Sequence, residues 1–459
     1  MAGQTAREVA LLALSACEQQ GAWSDGFLKK AIREAGLDQR DAGFATRLCL
    51  GVLQNKLLLD FYIGQFSSVK PEKLENRVRN SLRLGIYQMR FLDRVPERAA
   101  VSESVNLARK YARNPKAAGL VNGVLRSVGR AGAELPQPGD LATRYSHPDW
   151  LVKEFSLTLG GCDVAPLLAA DNTEAPTVAQ VNTCRATAPE VIAALEAEGV
   201  AAQPHPWLAD CLVLAGTGNL EHLAAFQKGW FYIQDAAARL AVLAADPKPG
   251  MEVLDACAAP GGKSFAAALA MGDAGRITAC DIHPHKQRLI QAGAERLGLT
   301  CIQTEVLDSK VRKAEFLNGF DLVIADVPCS GLGIIRKKPD IRYKDPEPLK
   351  NLPAVQSAIL DNVSAYVRPG GALLYATCTV LERENGGVVR GFLDGHTDFT
   401  LEAFQLPGPS GAVESGMLTL WPHIHGTDGF FIAKLRKTPQ SAPRTAPLTG
   451  EPQEWPRGN

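Results

Sequence analysis

Residues 252–264 read EVLDACAAPGGKS. An apolar run ends on Asp255, a turn of small residues and Pro260 follows, and Gly261 and Gly262 stand where the next amphipathic segment opens. This is a strand feeding a helix through a tight turn. The glycines let the backbone come close to a ligand, and Pro260 stiffens the turn. Working outward, the alternation continues through RITACD, PHKQRLIQAGAERLG, CIQTEV, DLVIADVPC, PAVQSAILDNVSAYV, ALLYATC, NGGVVRGFLDG and GFFIAKL. Strands and helices in this order predict a parallel sheet with helices on both faces, a doubly wound α/β domain over 246–437. Ligands of such sheets bind beyond the carboxyl ends of the strands, which makes 255–264 the expected cofactor loop. It lacks the G-x-G-x-x-G spacing of a dinucleotide fingerprint, which argues against a nicotinamide cofactor.

The strand ends then supply candidate ligands. Asp281 closes the second strand, where a carboxylate can accept from both ribose hydroxyls of an adenosine cofactor and disfavours a 2′-phosphate. Asp308 follows the third strand, in reach of an adenine amine; either aspartate would otherwise serve as a helix cap. Cys329 and Cys378 follow the next two strands. A lone cysteine there is ordinarily a small buried hydrophobe. Two of them facing one crevice, with Asp326 three residues before Cys329, point instead to nucleophilic chemistry. The pattern does not decide which sulfur attacks.

Upstream, helical spacing of apolar residues runs through AREVALLALSACEQQ, RDAGFATRLCLGVLQNKLLLDFYIGQF and KLENRVRNSLRLGIYQMRFL, giving an all-α domain over 1–135. GRAGAELPQPGD marks a boundary, linker helices are expected over 136–175, and short β-like and helical pieces make a small α/β segment over 176–245. The Pro-rich, polar 438–459 predicts disorder. Residues 1–130 hold 21 Lys and Arg against 12 Asp and Glu, and the remainder holds 28 against 37, so a neutral chain is basic in front and acidic behind. A basic front half suits an anionic partner such as nucleic acid. The ten cysteines form no C-x-x-C pair, which favours reduced thiols and a cytoplasmic protein. The pairs His283/His285 and His423/His425 lack further ligands, so no metal is expected. No apolar stretch is long enough for a membrane helix, and a monomer is expected.

CAAPGGKS, ADVPCSG and YATCTV together resemble the cofactor loop, Pro-Cys motif and Thr-Cys motif of S-adenosylmethionine-dependent RNA (cytosine-5) methyltransferases. RKKPDIRY and DGFFIAKL extend that likeness over about 176–437. In front, RLGIYQM, VSESVNLARKYA and VNGVLR resemble the NusB-like RNA-binding domain, and the combination is similar to the RsmB (Sun/Fmu) family of bacterial 16S ribosomal RNA methyltransferases. The resemblance implies a Rossmann-like class I methyltransferase domain, S-adenosyl-L-methionine as cofactor and 16S ribosomal RNA, free or early in assembly, as partner. It implies Cys378 as nucleophile, Cys329 as the release group, and Asp326 at the cytosine's polar edge and the cofactor. Cys257, Ala258, Ala259, Pro260, Gly261, Gly262, Lys263, Asp281 and Asp308 become the remaining cofactor contacts. DVPCS stands where DAPCS is usual, and EVLDSK where Gly-Asp-Gly/Ala is usual. Arg336, Lys337, Lys338, Arg342 and Lys344, just after Cys329, are expected along the RNA backbone. The rival readings are a transfer-RNA cytosine-5 methyltransferase and a non-catalytic RNA-binding protein.

Overall fold

The computed structural model describes residues 4–20 and 24–439. The tail expected to be disordered lies outside the described residues except for its first two positions. In the front half, α1 (Ala6–Gln20), α2 (Ser24–Ala35), α3 (Gln39–Gln54), α4 (Lys56–Phe66), α5 (Asn76–Phe91), α6 (Glu97–Tyr111) and α7 (Ala117–Ala131) bury their apolar stripes in one core. Asp38 caps α3 by accepting from the Asp41 backbone N–H at 2.8 Å. Where α3 meets α5, a Cβ on Gly51 would lie 2.0 Å from the Tyr87 ring, so this approach requires glycine. Part of the basic excess is used internally: Glu18 gathers Lys56, Arg79 and Arg83 at 3.3, 3.2 and 2.7 Å. Burial pushes the Glu18 carboxyl up, but Arg83 and Lys56 override it and hold it down at about 2.

Next come helices Asp149–Thr158 and Ala165–Ala170, then an antiparallel sheet of β1 (Thr177–Val181), β2 (Ala201–Pro204), β3 (Cys211–Ala215) and β4 (Phe231–Ile233) in the order β2-β3-β1-β4. The two helices do more than link. Leu151, Phe155 and Leu168 pack with Leu332, Ile335, Val380 and Leu381, bracing the loops that follow Cys329 and Cys378. Arg383 also pairs with Glu154 across this contact.

In the last domain, β5 (Glu252–Asp255), β6 (Arg276–Asp281), β7 (Ile302–Val306), β8 (Phe320–Asp326) and β9 (Val367–Thr377) pair in parallel in the order β7-β6-β5-β8-β9. From β5 the chain runs outward through β6 and β7, then returns to β8 on the other side of β5. That reversal opens a crevice beyond the carboxyl ends of β5 and β8. The strands β10 (Phe399–Leu401), β11 (Phe404–Gln405), β12 (Ala412–Val413), β13 (Met417–Leu420) and β14 (Phe430–Lys437) follow. β14 runs antiparallel to β9 and pairs with β10 and β13, so the expected parallel sheet is in fact mixed. The connection between β13 and β14 is too short for the crossover that a parallel pair needs. Among the described residues, no helix is long and apolar enough to cross a membrane.

Arg342 joins the front and back of the molecule. It is fully buried, and Nη1 donates to the carbonyls of Gln54, Tyr145 and Ser146 at 3.2, 3.3 and 3.2 Å and to Asn172 Oδ1 at 2.9 Å, while Nη2 donates to the Asp171 carbonyl at 3.3 Å. Tyr343 adds a hydroxyl bond to the Leu53 carbonyl at 2.9 Å. The expectation that Arg342 contacts RNA is therefore corrected: its donors serve α3 and the connecting segments, not a surface. An Arg342→Met variant would strand these carbonyl groups. It is expected to lose about 3 kcal/mol of stability or more in denaturant melts. The salt dependence of RNA binding should stay unchanged, whereas a lost phosphate contact would reduce its slope by about one.

Candidate active site

The turn after β5 is built as a cradle. The Ala258 N–H donates to the Cys280 carbonyl at 2.7 Å and the Gly261 N–H returns to the Ala258 carbonyl at 2.7 Å. Gly261 has φ 111°, and a Cβ there would lie 2.4 Å from the Phe265 ring. Gly262 starts helix Gly262–Ala270, whose free N–H groups face the crevice end. Cys257, Ala258, Ala259 and Pro260 complete the turn with small side chains. Asp281, nearly buried at the end of β6, accepts from the His283 N–H at 2.9 Å, and Asp308 after β7 accepts from the Lys310 N–H at 3.0 Å. Each makes a local Asx-type turn rather than a helix cap, and keeps further lone pairs for a ligand.

Asp255 lies beneath this turn, fully buried, accepting from the Ser264 hydroxyl at 2.7 Å. Burial pushes its carboxyl up to about 7, against the pull of Ser264 and Lys263. In the unfolded chain its value is near 3.8, so the native state holds the proton longer and stability is lost as pH rises between those values. Asp255→Asn, which cannot charge, is expected to be more stable than the parent at pH 8 by on the order of 2 kcal/mol and to show no such gain near pH 4. Urea melts at the two pH values check this.

The crevice also contains the sulfurs. The Val327 N–H extends the β8–β9 ladder to the Ala376 carbonyl at 3.1 Å, and the Gly333 N–H donates to the Cys378 carbonyl at 2.9 Å. Together these bring the Cys329 and Cys378 Sγ atoms to 3.3 Å, both half-buried. Ser330 and Thr379, the residues after each cysteine, share a hydroxyl hydrogen bond of 2.8 Å. The contact with Cys378, burial, and the carboxylates Glu384 and Asp326 hold the Cys329 thiol well above its ordinary range, so Cys329 keeps its proton. Asp326 accepts from Lys263 Nζ at 2.5 Å. Burial opposes the Lys263 charge, but Asp326 and Asp255 raise it above its usual value, so the lysine stays cationic. Lys263 thus ties the glycine turn to Asp326.

The expected RNA contacts divide. Arg336 Nε lies 3.3 Å from Asp428, and Lys337 Nζ bridges Asp235 and Asp428 at 2.6 Å each, fastening the loop after Cys329 to the domain body. These two, like Arg342, are drawn inward. Lys338 is exposed, and Lys344 is half-buried, where burial lowers its pKa. Lys344 also lines a cavity of about 740 Å³ between the helical domain and the 339–349 segment, together with Lys56, Arg79 and Tyr343. Sequence reasoning missed Glu384 and Gln356. Glu384 stands in LEREN, which looks like an ordinary charged loop, yet it is fully buried beside Cys329.

Residues 242–436 match the family model described as 16S rRNA methyltransferase RsmB/F, residues 4–130 that of the NusB family, and residues 147–221 that of the ferredoxin-like domain of RsmF/B-like methyltransferases. The Probable ribosomal RNA small subunit methyltransferase B of Bacillus subtilis (strain 168) is 39% identical over 443 residues, covering 94% of this chain and 98% of that protein. The chain belongs to the ribosomal RNA small subunit methyltransferase B family. The crystal structure of PH0851 superposes with a TM-score of 0.78 at 25% identity, covering 95% of this chain and 99% of the other. A methyltransferase homologue from Pyrococcus horikoshii, with a TM-score of 0.56 at 27% identity, covers 65% of this chain and 98% of its own. As a member of the small subunit methyltransferase B family, the chain is an RNA methyltransferase with a NusB-like all-α domain in front.

Proposed function

We propose that the protein transfers a methyl group from S-adenosyl-L-methionine to carbon 5 of a cytosine in 16S ribosomal RNA, through a covalent adduct between Cys378 and carbon 6. The observation that carries this reading is the sulfur pair, Cys329 and Cys378 at 3.3 Å, on adjacent strand ends beside Asp326 and the glycine turn. A non-catalytic RNA-binding role would leave that constellation without a purpose. The names of the relatives support that substrate.

The donor set fits an adenosyl cofactor: Asp281 and Asp308 offer acceptors to ribose and adenine, and the turn of Cys257, Ala258, Ala259, Pro260, Gly261 and Gly262 leaves backbone room. When bound, S-adenosyl-L-methionine supplies an electrophilic methyl group on a cationic sulfur. Carbon 5 of cytosine is a weak nucleophile, so the Cys378 thiolate first bonds to carbon 6 and pushes electron density to carbon 5. Asp326, held by Lys263, meets the polar edge of the ring, where it favours protonation at nitrogen 3 as negative charge develops. After transfer, a base removes the carbon 5 proton, the electrons of that bond restore the 5,6 double bond, and the proton gained at nitrogen 3 is released to solvent. The Cys378–carbon 6 bond breaks, and the Cys329 thiol passes its proton to the departing sulfur. A cytosine in a duplex would first have to leave its stack, at a cost of a few kcal/mol, so unpaired or remodelled RNA is the fitting substrate.

The test is to incubate the enzyme with methyl-labelled S-adenosyl-L-methionine and either 16S RNA or transfer RNA, then digest to nucleosides. Labelled 5-methylcytidine from 16S RNA is expected. Label on ribose or a ring nitrogen would overturn the proposed position, and 5-methylcytidine from transfer RNA alone would overturn the substrate.

A further inference from the structure

Behind the sulfur pair stands a carboxylate that the mechanism above does not use. Glu384 is fully buried, and its Oε2 accepts from the Ser330 backbone N–H and from Gln356 Nε2, both at 2.9 Å. The same Gln356 amide donates to the Pro328 carbonyl at 3.0 Å. One carboxylate and one amide therefore grip the residue before Cys329 and the residue after it. The Glu384 backbone is fixed in turn, its carbonyl accepting from the Tyr375 hydroxyl at 2.6 Å within β9, the strand that delivers Cys378. The next residue, Asn385, accepts from Thr377 Oγ1 at 2.6 Å and donates to the Thr379 carbonyl at 3.0 Å, so both sides of Cys378 are tied to the same turn. Glu384 Oε1 and Gln356 Oε1 are buried without hydrogen bonds. An uncompensated acceptor pair is costly to bury, and a buried apolar pair would fill the site without that cost.

We propose that Glu384 is a positioning residue for the release half of the reaction, clamping residues 328–330 so that the Cys329 sulfur stands against Cys378. This inference rests on the division of labour between the two cysteines proposed above. Both groups of contacts reach one short turn, so the loop that carries Cys329 and the strand that carries Cys378 move as one unit. The clamp is also electrostatic. The charged or titratable groups facing Cys329 are Cys378, Glu384, Asp326, Tyr375 and, from the cleft, Lys344. Of these, Glu384 combines negative charge with a direct hydrogen bond from the Ser330 N–H, and its charge opposes loss of the Cys329 proton. A thiol kept protonated is what release requires.

Glu384→Gln tests this, because it keeps an acceptor for Ser330 and removes the charge. Without RNA, the rate at which iodoacetamide labels Cys329 at pH 8, mapped by mass spectrometry, should rise about tenfold, because loss of the carboxylate charge makes the thiolate easier to form. An unchanged labelling rate in a protein with parental melting temperature would overturn the proposal. With RNA and S-adenosyl-L-methionine, Glu384→Gln should accumulate a protein–RNA adduct stable on a denaturing gel, as Cys329→Ala should. Slower methylation without any adduct, beside a Cys329→Ala control that does trap RNA, would also overturn it. If Cys329→Ala itself traps nothing, the assignment of the cysteines fails, and the labelling rate still decides the role of Glu384. Should Glu384→Gln fail to fold, Gln356→Met is the second variant. It removes the amide that ties the Pro328 carbonyl to Glu384, and with RNA and S-adenosyl-L-methionine it should accumulate the same adduct; parental methylation without any adduct would overturn the clamp.

Discussion

A Cys378→Ala variant is expected to lose methyl transfer by on the order of 10⁴-fold or more, the scale seen when a covalent nucleophile is removed. The loss should fall on the chemical step. Cys378 lies at the end of β9, half-buried, and Cβ alone fills its place without disturbing the Ser330–Thr379 bond or the Gly333 N–H contact to the residue 378 carbonyl. RNA affinity and melting temperature should therefore stay near the parent's. Single-turnover transfer from labelled S-adenosyl-L-methionine measures the effect directly. A variant that kept activity within tenfold would show that Cys378 does not attack.

Asp326→Asn carries the second large expectation. It removes the carboxylate that would support charge on the cytosine ring, and losing one such preorganised partner costs about 10²–10³-fold in rate. The change also leaves the Lys263 ammonium, nearly buried at the glycine turn, without its partner at 2.5 Å. A buried charge stripped of its partner destabilises by about 3 kcal/mol or more. Chemical denaturation should register that loss alongside the rate. A rate loss without a stability loss would place the role of Asp326 on the substrate, and a stability loss without a rate loss would make the pair purely structural.

Much of this architecture was legible in the chain because the strands of a doubly wound sheet are short apolar runs with chemistry at their ends. Asp255, Asp281, Asp326, Cys329 and Cys378 could be placed by that rule, and the structure brings the last three into one crevice. The antiparallel β14 was not legible, since apolar spacing carries no strand direction. Nor was the fate of the cations after Cys329. RKKPDIRYK looks like a phosphate-binding loop, but Asp235 lies 102 residues from Lys337 in sequence, and the Arg342 acceptor at Gln54 lies 288 residues away. Local pattern cannot show partners at that separation. Glu384 was hidden for the opposite reason: its charged neighbours Glu382 and Arg383 suggest a solvated turn, and only the packing of Val380 and Leu381 against the linking helices puts it inside. Lys338, exposed beside the cleft, remains the candidate phosphate contact of that loop.

We propose that two neighbouring sulfurs divide attack from release. Expressing Cys329→Ala in cells, purifying it, and running it on a denaturing gel tests that division most directly. RNA covalently attached through Cys378 is expected, absent when Cys378 is also replaced, with a sequence drawn from 16S ribosomal RNA. An adduct that survives replacement of Cys378 would contradict it.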